Sequence, residues 1–320
     1  MTGIGFGAFY LTTPEDHPAD FARRIEALGF DGLWAGESPN NRGPAYDLLT
    51  VLATAAAVTS RITVGSDVLL TPLHHPAWIA KAVGTLDVLS NGRAIAALGV
   101  GGEYAKQFEL FGMQVNERGR RTNEAIEVIR ELWTNPVASY EGRFFNFDGV
   151  TMEPRPMQSP HPPLWIGGRP GGIESGPDGV ERFKSKLGAI QRAAKYGDGW
   201  CPYYVTPEIY KSTVAAVTDA AKMLDRDISH MQWALTTFWL MRDSFEEAVE
   251  VAKSRKRYGR DLSERVARYD LLGSARDITR RLEQYVEAGA RYFICNWSCK
   301  RDEIPWHLEM IARDVMPHFR

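Results

Sequence analysis

Short apolar runs alternate with longer stretches of helical spacing along the whole chain. Strands are predicted at Ile4–Phe9, Gly32–Ala35, Ile62–Val68, Ala94–Val100, Leu164–Gly167, Gly199–Pro202, Trp233–Met241 and Tyr292–Asn296. Between them fall helical patterns at Phe21–Leu28, Tyr46–Thr59, Trp78–Leu89 and Arg118–Trp133, one ending near Tyr196, and a closing one at Trp306–Phe319. Their ends carry the expected chemistry. Gly29 suits a C-terminal cap, Thr206-Pro207-Glu208 opens a helix, and Ser244 with Glu247 and Ser274 with Asp277 form capping boxes.

Eight strand-then-helix units argue for parallel strands joined by right-handed crossovers. A closed (β/α)8 barrel spanning residues 1–320 as one domain accounts for eight units better than the alternative, an open doubly wound sheet. Two segments break the alternation. Residues 103–152 hold a loop, the 118–133 helix and a hairpin at 139–152 turning near Gly142. Residues 168–186 are rich in Gly, Pro and Lys and show no period. Both follow the C-terminal ends of strands, the face that carries active sites in this fold.

The chain's 320 residues carry 38 Lys and Arg against 40 Asp and Glu, a net charge of -2, which gives no basic excess for nucleic acid or a membrane surface. No uncharged apolar run is long enough to span a bilayer, and the N-terminus lacks a basic leader. Three cysteines are too few for a disulfide framework. A cytoplasmic location is expected. Adjacent His74 and His75 make a poor metal pair, Cys295 and Cys299 lack a second pair, and no P-loop, G-x-G-x-x-G or G-x-S-x-G occurs. No metal site is expected.

The strand ends bring together Tyr10 and Thr12, then Glu37, Ser38, Asn40 and Asn41, then Asp67 and Val68. Gly99, Gly101, Gly102, Glu103 and Tyr104 follow, then Gly167, Gly168 and Arg169, then Trp200 and Tyr203, and finally Trp297. Such a mouth suits a flat aromatic ligand with an anionic group. Trp200 and Trp297 are the stacking candidates, while Trp34, Trp165 and Trp233 read as core. His74 and His75 either reach the ligand rim or cap the third helix. Arg120 and Arg121 read as helix-surface charge or as holders of a ligand tail.

GFDGLWAGES (29–38), LSNGRAIAALGVGGEYAKQFELFGMQVNERGRRTNEAIEVIRELW (89–133), PPLWIGG (162–168) and AAKYGDGW (193–200) resemble, in order, motifs of the bacterial luciferase-like flavin oxidoreductases. The resemblance implies a barrel with an insertion after the fourth strand, assembled as a homodimer or higher homo-oligomer. It implies the deazaflavin coenzyme F420 or FMN as cofactor. The acid after the fourth-strand glycines, Glu103, matches the F420 branch, where it would carry a proton and Glu37 would orient a substrate. A cis peptide at Asp67-Val68 is implied, backing the cofactor ring. Gly99, Gly101, Gly102, Gly167, Gly168, Arg169 and Trp200 would complete the cofactor site, and Tyr10, Ser38, Asn40 and Trp297 the substrate pocket. Two departures stand out. Ser38 occupies a place where many members carry His, and neither Ser nor Asn is a base near neutral pH. The turn at 168–186 is longer than in relatives, with Arg169, Arg182, Lys184 and Lys186 in or beside it. The functions implied are hydride transfer between F420 and a small organic substrate, or monooxygenation with O2 and reduced FMN from a separate reductase. A flavin-binding protein without catalysis is the third possibility.

Overall fold

The computed structural model describes residues 3–11, 17–39, 45–101, 105–170, 173–175, 181–183, 188–253 and 263–320. Eight strands form the barrel wall: β1 (Gly5–Tyr10), β2 (Gly32–Ala35), β3 (Thr63–Ser66), β4 (Ala94–Gly99), β5 (Leu164–Gly167), β6 (Gly199–Cys201), β7 (Gln232–Met241) and β8 (Tyr292–Trp297). Each pairs in parallel with the next, and β8 returns to β1, so the sheet closes. Closure removes the exposed edges an open sheet would leave, and it excludes the doubly wound alternative. Leu271–Gly273 adds a short parallel segment to the top of β7.

The principal outer helices are α1 (Pro18–Ala27), α2 (Leu48–Val58), α3 (Pro76–Leu89), α4 (Arg118–Thr134), α5 (Gly188–Tyr196), α6 (Pro207–Met223), α7 (Ala275–Glu287) and α8 (Ile304–Met310). Their starts follow from side chains that accept otherwise orphaned amides. Asp47 accepts the Thr50 amide at 2.8 Å, and Thr206 accepts that of Ile209 at 3.4 Å. Ser274 and Asp277 form a reciprocal box at α7. The closing helix is shorter than its sequence pattern. After α8 the turns widen over Ile311–Val315 and tighten over Met316–Phe319. Pro317, with no N–H, cannot continue a regular ladder there.

The insertion contains Ala105–Leu110, α4 and an antiparallel hairpin of Ala138–Glu141 with Asn146–Val150. Within 168–186, Ile173–Ser175 pairs antiparallel with Glu181–Phe183. Three-residue strands are too short to show a period, which is why the sequence reads there as loop. No helix among the described residues is long and apolar enough to cross a membrane.

Side chains from three strands fill the barrel axis. Trp34 stacks on Trp165 with ring centroids 4.7 Å apart, and its Nε1 donates to the Tyr292 hydroxyl at 3.1 Å. Gly5, Gly7, Gly32, Gly65 and Gly199 make room for these rings, since a Cβ at any of them would overlap one. Trp34 and Trp165 are therefore core. The barrel below the mouth is a packed plug and not a channel.

Candidate active site

Strand alternation decides which residues face the mouth. Inward parity along β3 runs Thr63, Gly65, Asp67, and along β6 it runs Gly199, Cys201. Phe9, Val68 and Cys201 join Trp34 and Trp165 in the interior cluster. Three residues expected in the mouth have the opposite parity. Tyr10 is buried in the helix layer, edge-on to Phe21 at 5.3 Å. Trp200 is buried outside the wall against Tyr210 and Trp233, where its Nε1 donates to the Gly168 carbonyl at 3.3 Å. Trp297 is buried in the outer core, with Nε1 donating to the Phe9 carbonyl at 2.7 Å. All three are corrected from ligand contacts to wall residues. Their neighbours Phe9, Cys201 and Asn296 hold the inward positions.

β3 ends in a bulge. Val64 and Gly65 pair with Ala94 and Ile95, and Leu69 and Leu70 pair again with Leu98 and Gly99. Four steps on one strand therefore face three on the other, which defines an extra residue. Ser66 Oγ fills the gap, donating to the Ala97 carbonyl at 2.9 Å and accepting the Ala97 amide at 2.8 Å. The Asp67-Val68 peptide is cis. The Val68 side chain lies where Gly99 and Gly167 have none, since a Cβ on either would overlap it. The result is a smooth apolar wall. Leu70, Leu73 and Phe108 continue it beside Gly101, whose φ is +60°.

Glu37 clamps this segment. Its amide donates to the Val68 carbonyl at 3.3 Å, and its Oε2 accepts the Leu70 amide at 2.5 Å. Its Oε1 lies 2.5 Å from His74 Nε2, with the two side chains only 12% and 20% exposed. The His74 ring stacks on Trp78 at 5.0 Å. His75 is the α3 cap, its Nδ1 accepting the Ala77 amide at 3.2 Å. His75 thus takes the capping role, while His74 pairs with Glu37. The His74 contact escaped sequence reasoning, because 37 residues separate it from Glu37.

Asp67 projects across the mouth floor. Its Oδ2 accepts from Thr236 Oγ1 on β7 at 2.6 Å, and that hydroxyl lies 3.3 Å from Cys201 Sγ on β6. Burial pushes the Asp67 carboxyl up to about 7, against the opposing effect of the Thr236 bond. Burial and the neighbouring Asp67 raise the Cys201 thiol well above its usual range. In sequence Asp67 stands out as a carboxylate ending an apolar strand and as half of the cis peptide that the family resemblance implies; nothing there signals its bond to Thr236.

Next to Gly167, on the same side of the mouth, Gly168 has φ +122° and an added Cβ would meet only the Ala189 Cβ, at 4.0 Å, while the exposed Arg169 guanidinium lies 5.5 Å from the Tyr203 ring. Tyr204 stacks on Phe238 at 4.9 Å. Ser38 is half-buried beside Glu37. Arg120 is exposed, while Arg121 sits 4.8 Å from the Phe145 ring and braces the hairpin. Thr12, Asn40, Gly102, Glu103, Lys184 and Lys186 lie outside the described residues. Among the described residues no cluster of three or more His, Cys, Asp or Glu could hold a metal.

A closed parallel barrel whose C-terminal mouth carries an apolar wall, a sheltered acid and the exposed Arg169 has the architecture of a small-molecule enzyme. The luciferase-like monooxygenase family model matches residues 7–176, more than half of the chain, and the chain belongs to that family. It is similar to the F420-dependent glucose-6-phosphate dehydrogenase of Kineococcus radiotolerans, at 36% identity over 48% of this chain and 47% of that protein. It thus spans about half the length of that relative. A protein of the same name from Amycolatopsis mediterranei is 28% identical over 94% of this chain and 93% of its own. In fold it is similar to an F420-dependent secondary alcohol dehydrogenase in complex with an F420-acetone adduct, with a TM-score of 0.81, 19% identity and 99% of each chain covered.

Proposed function

We propose that the chain is an F420-dependent oxidoreductase that passes a hydride between the deazaflavin and a small organic substrate. The observation that carries this reading is the smooth wall of Val68 framed by Gly99 and Gly167, continued directly by Gly168 and the exposed Arg169. The residues fit a flat ring with an anionic tail. Val68 offers an apolar face, while Gly168 and Arg169 offer an uncrowded backbone and a cation for phosphate. When bound, the deazaflavin supplies the hydride chemistry.

The chain's residues position and protonate. Glu37, with both carboxylate oxygens engaged, keeps the bulge and the His74 imidazole in place. A carboxylate that accepts the Nε2 proton of His74 leaves Nδ1 as the acceptor, a base that Ser38 cannot provide. Glu103, two residues after Gly101 in the sequence, is the acid that exchanges a proton with substrate. Phe9, Asn296 and Ser38 form the substrate side, replacing Tyr10 and Trp297. The enzyme works in the cytoplasm as a homodimer.

A second reading is monooxygenation with O2 and reduced FMN delivered by a separate reductase, favoured by the matched family's own description. Titration of the protein with F420 and with FMN tests the choice. Tight binding of F420 without FMN binding is expected. The reverse result selects the monooxygenase, and binding without turnover selects a flavin-binding protein without catalysis.

A further inference from the structure

We propose that Asp67 is the proton-linked residue of this mouth: entry of an anionic ring draws one proton onto its carboxylate. This rests on the cofactor reading above but adds a property that reading does not require.

The geometry is specific. Asp67 leaves the end of β3 on the inward side, directly above the Trp34–Trp165 plug, and reaches across the barrel to Thr236. The strand order places β3 and β7 on opposite sides of the ring. One carboxylate oxygen is thus occupied by a neutral hydroxyl. The other has no donor among the described residues, although the side chain is only partly open to water. No Lys, Arg or His forms an ion pair with it among the described residues. The groups facing it are the Thr236 hydroxyl from β7 and the Cys201 thiol from β6, both neutral. The adjoining wall is Val68, and the backbone of Gly36 approaches its carbonyl. A carboxylate so placed lacks the cation that a buried charge requires.

Its proton therefore stays on up to a pH of about 7. An anion brought into the same mouth raises that value further, because like charges in a sheltered site disfavour each other's ionised forms. The balance is one proton from solvent, one ionised Asp67 and one anionic ring giving a neutral Asp67 beside the bound anion. No bond within the ligand changes. F420 carries an acidic ring hydroxyl and reduced FMN an acidic ring nitrogen, so both rings are anionic around neutrality. The ring of oxidised FMN is neutral, while the phosphate is common to both forms of FMN. Coupling through Asp67 thus separates ring charge from tail charge.

The test is calorimetric titration with F420, anaerobically reduced FMN and oxidised FMN at pH 6, 7 and 8. Each is run in two buffers of different ionisation enthalpy, so that the difference counts protons. With F420 or reduced FMN, uptake beyond the ring's own ionisation should grow from about one-tenth of a proton at pH 6 to about nine-tenths at pH 8. Asp67→Asn should abolish it. Thr236→Val, which removes a bond favouring the ionised form, should move its onset to higher pH. Carbon-13 NMR of the carboxyl carbons in the ligand-free protein reads Asp67 directly. A signal titrating in the ordinary carboxylate range overturns the proposal without any ligand, as does uptake that survives in the Asn variant. Binding with no proton uptake at pH 8 sinks the proposal and leaves the cofactor reading standing. Failure of all three ligands to bind overturns the cofactor reading and the proposal with it.

Discussion

His74 and Glu37 meet at 2.5 Å across the gap between the second and third strands, and the other Glu37 oxygen holds the Leu70 amide at the same distance. One carboxylate thereby ties a side chain and a backbone group of the loop that follows β3. The two partners differ in what they lose if the acid is removed. His74 retains partial access to water, whereas Leu70 is a buried wall residue.

Glu37→Ala should therefore destabilise the protein by on the order of 2 kcal/mol, through a buried amide left without an acceptor. His74→Ala should cost less, because the carboxylate keeps its backbone partner. Urea unfolding of both variants checks the order. A larger loss from His74→Ala would show that the imidazole, and not the amide, anchors the loop.

Asp67 makes stability depend on pH in a definite direction. Its folded value of about 7 stands above its ordinary value of 3.8. A raised acid favours the folded state below the ordinary value, and that advantage is lost as pH climbs from about 4 to about 7. Above that window the loss is constant. Asp67→Asn should remove this part of the profile, gaining on the order of 4 kcal/mol over the parent at pH 8 relative to pH 4. Parallel denaturation curves at the two pH values give the difference, and an unchanged slope would contradict the assignment.

Gly99→Ala brings a methyl group onto Val68 Cγ2. Overpacking of this kind costs about 1–3 kcal/mol. If the contact is the cause, Val68→Ala should relieve much of it, so the double variant should be more stable than the two losses added together. Simple additivity in thermal unfolding would place the strain elsewhere. Ligand affinity should fall in the single Gly99 variant, because the wall moves.

Glu103→Gln keeps size and acceptor capacity but removes the acidic proton. If Glu103 serves as the acid, kcat should fall by about 10²–10⁴-fold with cofactor affinity nearly unchanged. Steady-state kinetics beside a binding titration checks this. Full turnover would falsify the acid role and leave Glu103 as a cap for the segment that follows.

The strand sequence was legible because each apolar run is bounded by glycine, proline or polar turns, and because helix caps such as Thr206 and Ser274 mark the other half of each unit. What could not be read was parity. Strands in a parallel barrel are buried on both faces, so Gly199-Trp200-Cys201 carries no alternation to say which residue points inward. The largest side chain is not the mouth residue. Trp200 and Trp297 fill the broad space under the helices, while the narrow axis at their level receives Cys201 and the Asn296 position. Asp67 could be placed at a strand end from sequence, but its partner Thr236 is 169 residues away. The proton it holds depends on burial, which sequence does not state.

The glycine-for-ring fit of the barrel axis bears on how this scaffold could be re-engineered. Trp34, Trp165 and Tyr292 each occupy volume ceded by residues on neighbouring strands, so one member of such a pair cannot be exchanged alone. Random substitution at Gly5, Gly7, Gly32, Gly65 or Gly199 would mostly yield misfolded clones. Diversity should be confined to Ser38, Thr236, Phe238 and Asn296, outside the cluster that holds Trp34 and Trp165. Libraries built on that boundary can explore new substrates while the foundation of the barrel stays intact.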